Sequence, residues 1–299
     1  AYANRWATAV GDRIAIFANN DDAHRTAHDL HRLGVEIAAV IDSRPEAPTS
    51  DHFEVLPASE VVNTHGRLGI NSIDVKTPQG LRQMQVSGLG VSGGWNPNIH
   101  LTCHQRGRPQ WDPALSAFVP SADLPKSLLV AGAANGKMTN ATAMQDAVTM
   151  AMKIAKDLGH KPKSLKVPKT SDESVSVTPF WYVTGTQRGW VDQQNDVTVK
   201  DIKLAHQENF RSVEHMKRYT TLGMATDQGK TSNVLGLAIM AQTAGQSIPE
   251  TGTTIYRPPY SPTAIGVFAG RSRNKDFRPV RKTPSHKWAE EQGAVFVEV

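Results

Sequence analysis

Short apolar runs separated by polar segments mark the first 42 residues and predict a β–α–β unit. Ile14–Ala18 has the length of a buried strand, and Val35–Ile41 is a second run of the same kind. Between them, Asp22–Leu33 carries alanine and leucine at helical spacing and stops before Gly34. Two such strands joined by a helix are expected to lie parallel in one sheet, which predicts an α/β fold.

Apolar patterning continues through the middle of the chain. Ile70–Val75 and Leu81–Val86 predict paired strands around a turn at Pro78–Gly80. Leu128–Gly132 predicts another buried strand, and Ala141–Leu158 predicts a long helix with one apolar face turned inward. That face consists of Ala143, Ala147, Met150, Ala151, Ile154, Ala155 and Leu158.

Residues 191–250 predict a small domain built from short helices. Asp201 follows Thr198 by three residues, which is close to the spacing of a capping box at a helix start. Val213–Tyr219 and Ser232–Thr243 predict two further helices. The predicted organisation is an incomplete dinucleotide-binding region over 1–160, a linker over 161–190, the helical domain over 191–250 and a basic segment over 251–299.

Composition narrows the class of protein. Of the 299 residues, 39% are hydrophobic and 20% are charged, which excludes a disordered chain. No apolar run approaches the ~18 residues of a membrane helix, so no membrane partner is expected. Cys103 is the single cysteine, which excludes an internal disulfide and suits a reducing compartment. The first residues lack the apolar core of a signal peptide, and a cytoplasmic location is expected.

The net charge of +5 is concentrated near the end of the chain. Arg271–Lys287 contains seven basic residues and one acidic residue, Asp276. A solvated linker is the favoured interpretation, and a patch for an acidic partner or for cofactor phosphates is the alternative. Nucleic acid is not expected as a partner, because no recognition motif accompanies the charge.

The turn after the first strand lacks the glycines of a dinucleotide-binding loop. In such a unit the pattern G-x-G-x-x-G would fall here at Asn19, Asp21 and His24. Side chains at these positions block the approach of a pyrophosphate to the backbone, and Asp21 repels it. Asp42 stands about 20 residues further on, where an acid would bind a ribose hydroxyl. The favoured interpretation is a structural nucleotide fold without phosphate binding at this turn.

Histidines and the single thiol offer little chemistry. His24, His28 and His31 follow one stripe of the first predicted helix, and two of them have the spacing to share a metal ion. A solvated helix face is favoured, and no metal site is expected. Cys103, within HLTCH, is expected to be inert.

Two turn motifs resemble those of the two-dinucleotide-domain flavoprotein reductases. SGGWNPN at 92–98 is similar to the turn that ends their NAD domain, and VAGAANG at 130–136 to their return into the FAD domain. The resemblance implies a Rossmann-like nucleotide-binding domain of that type. Ala133 stands where the flavin-binding acid would be, which argues against FAD in that site.

A closer resemblance is to the alpha subunit of heterotetrameric sarcosine oxidase. It is carried by IFANND, VSGGWNPNIHL, VAGAANG, DQQNDVTVKDI, FRSVEHMKRYTTLGMATDQGKTSN and YRPPYSPTAIG. The block at Phe210–Asn233 is the most specific. TPSHKWAEEQGAVFVEV is similar to the beginning of the folate-binding, aminomethyltransferase-like domain of that family. The chain is therefore expected to be a central fragment, without the glycine-rich loop and without the folate domain.

The resemblance implies oxidative demethylation of sarcosine to glycine with oxygen and tetrahydrofolate, giving hydrogen peroxide and methylenetetrahydrofolate. It implies beta, gamma and delta subunits as partners, with FAD and the amine chemistry in beta, so no catalytic residue is expected here. It implies NAD in this chain, for which Gly132, Ala133, Asn135 and Gly136 are the candidates. The alternatives are a subunit of the N-methylglutamate dehydrogenase type and a non-catalytic scaffold that binds a partner protein.

The helical domain is similar to a ferredoxin-like module that binds a two-iron cluster. The cluster cysteines of that module fall here at Asp192, Gln194, Asp227 and Ser232. Carboxylate, amide and hydroxyl groups do not hold such a cluster, so no iron–sulfur cluster is expected.

The loop around residue 225 is rich in hydrogen-bond donors, which suit a phosphate and the polar edge of a flavin. The resemblance places an FMN, shared with the beta subunit, against this region. A purely structural loop is the alternative. The candidate FMN residues are Lys217, Arg218, Thr220, Thr221, Thr226, Gln228, Lys230 and Thr231.

Overall fold

The computed structural model describes residues 2–124, 127–163, 165–171, 174–185, 188–256, 261, 263–274 and 282–296. The chain divides into two compact units, over residues 1–260 and 261–299. The described strands are β1 Arg13–Ala18, β2 Glu36–Asp42, β3 Val55–Leu56, β4 Glu60–His65, β5 Ser72–Thr77, β6 Gly80–Gln85, β7 Gly88–Ser92, β8 Gln110–Asp112, β9 Ala117–Val119, β10 Trp190–Asp192 and β11 Val197–Thr198. The described helices are α1 Tyr2–Trp6, α2 Asp21–Arg32, α3 Asn140–Asp157, α4 Val199–Gln207, α5 Val213–Thr220, α6 Asn233–Ala244, α7 Ile248–Thr251, α8 Ile265–Phe268 and α9 His286–Glu291.

A four-stranded parallel sheet in the order β3-β2-β1-β7 forms the first part of the larger unit. Helix α2 joins β1 to β2, as predicted, and the Asn20 side chain caps it by accepting a hydrogen bond from the amide of Ala23 at 3.1 Å. One face of the sheet packs Ile14 and Ile16 against Ala27 of this helix. The predicted β–α–β unit is confirmed.

The other face of the parallel sheet packs against an antiparallel sheet in the order β4-β5-β6. Successive side chains of a strand point to opposite faces, so Ala15 and Ile41 meet Ile73 and Val75 on this side. The pairing of β5 with β6 confirms the strands predicted around Pro78–Gly80.

Two predictions for the following segment are wrong. Leu128–Gly132 does not form a strand, because it pairs with neither described edge of the parallel sheet and continues into a short 3-10 turn at Gly132–Asn135. Helix α3 forms, but its predicted inward face is not buried: Ile154 is 44% exposed and Leu158 is 70% exposed. Helical spacing identifies an apolar face and does not supply the surface that covers it.

The helical domain forms around a core that α6 crosses. Thr198 and Asp201 make the predicted capping box at the start of α4, with the Thr198 amide 2.7 Å from a carboxylate oxygen of Asp201. Helices α5 and α6 confirm the other two predictions. The core consists of Ile202, Ala205, Met216, Leu222, Leu237, Ile239 and Met240, all fully buried. Helix α6 is apolar on most sides, as expected of a helix inside a core.

The shorter unit contains α8 and α9. Residues 275–281 of the basic stretch Arg271–Lys287 lie outside the described residues. No helix in the described part of the chain is long and apolar enough to cross a membrane.

Candidate functional site

A cavity of about 1490 Å³ opens at the carboxyl ends of β1 and β7. Ala18 and Asn19 border it at the end of β1, and Ser92, Gly93 and Gly94 border it after β7. Strand β1 pairs with β2 on one side and with β7 on the other. The strand order therefore reverses direction at β1, and a crevice lies between the ends of β1 and β7. Open α/β sheets bind their ligands at such a point.

The walls of this cavity combine aromatic rings with cations. Trp181 and Trp190, which lie just before the helical domain in the sequence, line this wall. The Arg188 guanidinium lies 5.5 Å from the ring centre of Trp190. The aromatic lining is Phe17, Trp95, Phe180, Trp181, Tyr182 and Trp190, and the cationic lining is Arg188, Lys200 and Lys230. Flat rings and cations together suit a planar aromatic ligand that carries a phosphate.

Residues 174–178 cross the turn between β1 and α2. The amide of Thr178 donates to the carbonyl of Asn19 at 2.9 Å, and the Asn19 side chain donates to the carbonyl of Thr178 at 2.8 Å. The amide of Asp21, at the start of α2, donates to the carbonyl of Ser176 at 3.1 Å. The chain itself therefore occupies the helix terminus at which a nucleotide fold binds pyrophosphate, which supports the structural interpretation of this turn.

A buried ionic network stands beside this crossing. Asp42 is fully buried, and its carboxylate lies 2.7 Å from Nε2 of His24 and 2.8 Å from Nη2 of Arg44. Nη1 of Arg44 lies 2.7 Å from the carboxylate of Asp21, which also accepts a hydrogen bond from the Ser176 amide at 3.1 Å. Burial raises the pKa of Asp42, but the hydrogen bonds from His24 and Arg44 together lower it by more than burial raises it. The pKa of Asp42 therefore lies below its ordinary value. Asp42, the acid expected to bind a ribose hydroxyl, is thus already paired with His24 and Arg44.

The three histidines of α2 do not form one solvated face. His24 is buried against Asp42, so the prediction is wrong for this residue. The His31 ring stacks on that of His52 at 5.0 Å, and His28 lies 5.8 Å from the same ring. The described residues contain no cluster of three or more side chains fit to hold a metal ion.

The four candidate NAD residues lie in the turn Gly132–Asn135 and at its end, Gly136. The amide of Gly132 and the side-chain amide of Asn135 both donate to one carboxylate oxygen of Asp146, at 2.9 and 3.2 Å. Gly132, Ala133, Asn135 and Gly136 do not line the large cavity. Donors that could meet a phosphate are therefore engaged by a side chain of α3, and the NAD assignment stays a prediction.

Three of the four positions that resemble cluster cysteines, Asp192, Gln194 and Asp227, make side-chain hydrogen bonds. The Asp192 side chain is buried and accepts from the amide of Gly223 at 2.8 Å and from that of Gln194 at 2.9 Å. The side chain of Gln194 accepts from the hydroxyl of Thr226 at 3.3 Å. Burial raises the pKa of Asp192, but the donating amides together lower it by more than burial raises it. The pKa of Asp192 therefore lies below its ordinary value. Strand β10 is tied to the candidate FMN loop in this way.

Other hydrogen bonds of these positions lie within the loop. Asp227 accepts from the amide of Gly229 and from the hydroxyl of Thr231, each at 3.2 Å. Ser232 is buried just before α6. Asp192 and Asp227 therefore bond to the backbone, Gln194 bonds to the side chain of Thr226, and Ser232 is buried.

Only two of the eight candidate FMN residues, Lys230 and Thr231, line the large cavity. Arg218 instead pairs with Glu214 at 2.9 Å. The Thr220 hydroxyl donates to the carbonyl of Met216 at 2.8 Å.

The other four candidates also lie outside the lining of the large cavity. Thr221 and Gln228 adopt left-handed backbone conformations, with φ of +64° and +53°. Thr226 bonds to Gln194 at 3.3 Å, and Lys217 is half-buried. The eight candidates therefore do not converge on one surface of the cavity.

Two glycines fold the loop around the side chain of Asn233. Gly223 and Gly229 have φ of +67° and +72°, where side chains are disfavoured. A Cβ atom on Gly229 would lie 2.2 Å from the Asn233 side chain, and one on Gly223 would lie 2.4 Å from it. The close approach explains why this loop needs glycine at both positions.

Replacing Gly229 by alanine is expected to destabilise the protein by about 3 kcal/mol, because overlap with Asn233 adds to the strain of a positive φ. Gly245 is the matched control: its φ is +65°, and a Cβ atom there would meet nothing within 4 Å. Gly245→Ala should cost only about 1 kcal/mol. Urea unfolding followed by circular dichroism measures both values, and equal losses would exclude the steric explanation.

Sequence patterns did not identify most of the cavity wall. Phe180, Trp181 and Tyr182 lie in a segment predicted to be a linker, and Arg188 and Lys200 carried no motif. The run of three aromatic residues was the available signal, since an exposed linker rarely contains one.

The structure defines an α/β protein with a Rossmann-like parallel sheet and a small helical domain attached. The crystal structure of L-proline dehydrogenase from P. horikoshii is similar in fold, with a TM-score of 0.62 over 90% of this chain and 52% of that chain, at 18% sequence identity. The predicted fold class is confirmed.

Sequence comparison gives a more specific likeness. Residues 186–271 match the family described as "Sarcosine oxidase A3 domain". The whole chain is 40% identical to "Sarcosine oxidase subunit alpha" of Rhizobium meliloti (strain 1021), covering 31% of it, and 33% identical to the same subunit of Corynebacterium sp. (strain U-96), covering 33% of it. The resemblance to this subunit is confirmed, and the chain spans about a third of the length of these curated relatives.

Proposed function

We propose that this chain is part of the alpha-type subunit of a flavin-dependent amine oxidoreductase and that its large cavity borders an FMN. The observation that carries the proposal is the cavity at the carboxyl ends of β1 and β7, with aromatic walls and with Lys230 and Thr231 at its edge. The similarity of the whole chain to sarcosine oxidase alpha subunits supports the same class of reaction.

The donor set of the cavity fits a flavin mononucleotide. Lys230 and Lys200 would attract the phosphate, and Thr231 would donate a hydrogen bond to it or to the polar edge of the ring. Trp181 and Trp190 would contact the ring faces. A bound flavin would supply electron transfer to oxygen, and the side chains of this cavity wall would bind and orient it.

The reaction proposed for the whole protein is oxidation of sarcosine to glycine, with transfer of the released carbon to tetrahydrofolate and formation of hydrogen peroxide. Beta, gamma and delta subunits are the proposed partners, with FAD in beta. The support is the likeness to sarcosine oxidase alpha subunits. NAD binding at Gly132–Gly136 has only the motif resemblance in its favour, since Asp146 engages the local donors. A cytoplasmic location is proposed because a single cysteine suits a reducing compartment.

Replacing Lys230 by methionine should lower the flavin content of the assembled protein at least severalfold, because a cation at the edge of the cavity is lost while side-chain length is kept. Lys153→Met on α3 is the control, because Lys153 is exposed and lies outside the cavity lining. The measurement is the absorption spectrum of the purified complex, followed by identification of released and covalently held nucleotides.

Unchanged flavin content in Lys230→Met would remove this cavity from the proposal. Oxidation assays with sarcosine and with N-methylglutamate distinguish the two amine substrates. A colourless complex that binds a protein partner would favour the scaffold alternative, for which the crossing of residues 174–178 over the first turn is the supporting observation.

A further inference from the structure

Trp95 presents an exposed indole ring at the large cavity. The residue follows Gly93 and Gly94 in the loop after β7, and it is 70% exposed. It lines the same cavity as Phe17 and Phe180, so its ring belongs to a concave aromatic wall. A single apolar side chain scattered on a surface needs no explanation, whereas an exposed ring in the wall of a cavity marks a place for a ligand.

Asp22 holds this indole ring by its edge. Nε1 of Trp95 donates a hydrogen bond to Oδ2 of Asp22, with 2.8 Å between the two atoms. The indole N–H is the only hydrogen-bonding group of a tryptophan side chain, and it is a donor. The bond therefore satisfies the polar edge of the ring and does not use either of its apolar faces.

The carboxylate of Asp22 is itself held in place. Its other oxygen, Oδ1, accepts from Nη2 of Arg25 at 2.7 Å and from Nε of the same guanidinium at 3.1 Å. Nη1 of Arg25 donates to the carbonyl of Ser174 at 2.7 Å. The first turn of α2, the loop after β7 and the segment that crosses the turn after β1 are joined through these bonds.

A ring that is held before a ligand arrives loses little conformational freedom when the ligand binds. More of the stacking energy then appears as affinity. Stacking of a flat heterocycle on an aromatic side chain is worth about 1–3 kcal/mol in alanine substitutions, so one well-placed ring changes affinity tenfold or more.

We infer that Trp95 is a ring-binding residue of the large cavity and that Asp22 is its positioning residue. A face of the indole contacts the planar part of the ligand, while Asp22 fixes the direction of the ring through Nε1. The inference rests on the proposed function, which supplies a flavin as the ligand. It adds a contact with the flavin ring that is separate from the contact of Lys230 with the phosphate.

The test uses two probes that share a ring and differ in the phosphate. The protein is produced under flavin limitation, purified with its accompanying subunits and titrated with FMN and with riboflavin. Trp95→Leu should weaken the binding of both probes about tenfold, because the lost contact is with the ring. Lys230→Met should weaken only FMN, because riboflavin has no phosphate. Trp6→Leu is the control, since Trp6 is also exposed and lies outside the cavity lining.

A double-mutant cycle tests the positioning role of Asp22. Trp95→Phe keeps a ring but has no N–H, and Asp22→Ala removes the acceptor, so each variant alone should weaken riboflavin binding about threefold. The double variant should be no weaker than Trp95→Phe, because Asp22 acts through the indole N–H. Asp29→Ala, which removes another arginine-paired acid from α2, should leave the affinity unchanged.

Two results would overturn the inference. Equal affinities of the Trp95→Leu variant and the unchanged protein for both probes would exclude the ring contact. Independent effects of Trp95→Phe and Asp22→Ala, about ninefold together, would exclude positioning through Nε1. If FMN binding is still lost in Lys230→Met, either result leaves the proposed function standing. An unchanged protein that binds neither probe would overturn the proposed function as well.

Discussion

Replacing Arg44 by methionine is expected to lower the free energy of unfolding by about 3–5 kcal/mol. Arg44 is 5% exposed and is shared by the carboxylates of Asp42 and Asp21. Methionine fills a similar space but leaves buried negative charge without its cation, which is the costly way to break an ionic network. Urea unfolding at neutral pH, with circular dichroism as the probe, measures the loss.

Arg32→Met is the matched control for this variant. Arg32 also pairs with an aspartate, Asp29, but its side chain is 74% exposed, so its removal should cost less than about 0.5 kcal/mol. Similar losses of unfolding free energy in the two variants would contradict the prediction that burial makes the Arg44 ion pairs costly to break.

The Arg44 variant should also respond differently to acid. Asp42 has a folded-state pKa below its ordinary value of 3.8, so its contribution to stability is present above pH 3.8 and is lost as the pH falls through the folded-state pKa. Removal of Arg44 raises that pKa, so acid protonates Asp42 in the variant first and relieves the unpaired buried charge. The difference in unfolding free energy between the variant and the unchanged protein should therefore shrink as the pH falls. Unfolding curves of both proteins between neutral pH and pH 3 measure this difference.

Replacing Asp192 by alanine is expected to cost about 3 kcal/mol of stability. Its carboxylate accepts a buried hydrogen bond from the amide of Gly223 and a partly buried one from the amide of Gln194. Each buried donor left without a partner costs about 1–3 kcal/mol. Asp192→Asn keeps the shape and one oxygen, so it should cost less than alanine. Thermal and urea unfolding measure both variants.

Asp196→Asn controls for the loss of an acidic group from the same turn. Asp196 is exposed with φ of +55°, a conformation that asparagine also tolerates, and little change is expected. An equal effect in Asp192→Asn and Asp196→Asn would mean that the buried hydrogen bonds are not the source of the stability.

Local elements were well predicted because their determinants lie close together along the chain. The β–α–β unit and the capping box of Thr198 depend on apolar spacing and on one side chain near a helix start. The same rules failed for Leu128–Gly132 and for the face of α3, since burial depends on what packs against a segment. A strand without a neighbouring strand does not form, however apolar it is.

The candidate site was predicted in part. Lys230 and Thr231 were found through a resemblance, and the structure places both at the cavity. The contact of Asn19 with Thr178 joins positions 159 residues apart, and no local pattern encodes such a contact. The role of Arg44 depends on the same folding, because one of its partners lies on β2 and the other on α2.

The crossing of residues 174–178 couples the stability of the turn after β1 to that of the cavity wall. Val177 borders the cavity, and the backbone on either side of it is bonded to Asn19 and Asp21. Any ligand that favours this arrangement of the wall stabilises those bonds, and by reciprocity the bonds strengthen its binding by the same free energy. Affinity for a ligand in the cavity and resistance of the turn after β1 to local opening would therefore be two measures of one coupling free energy.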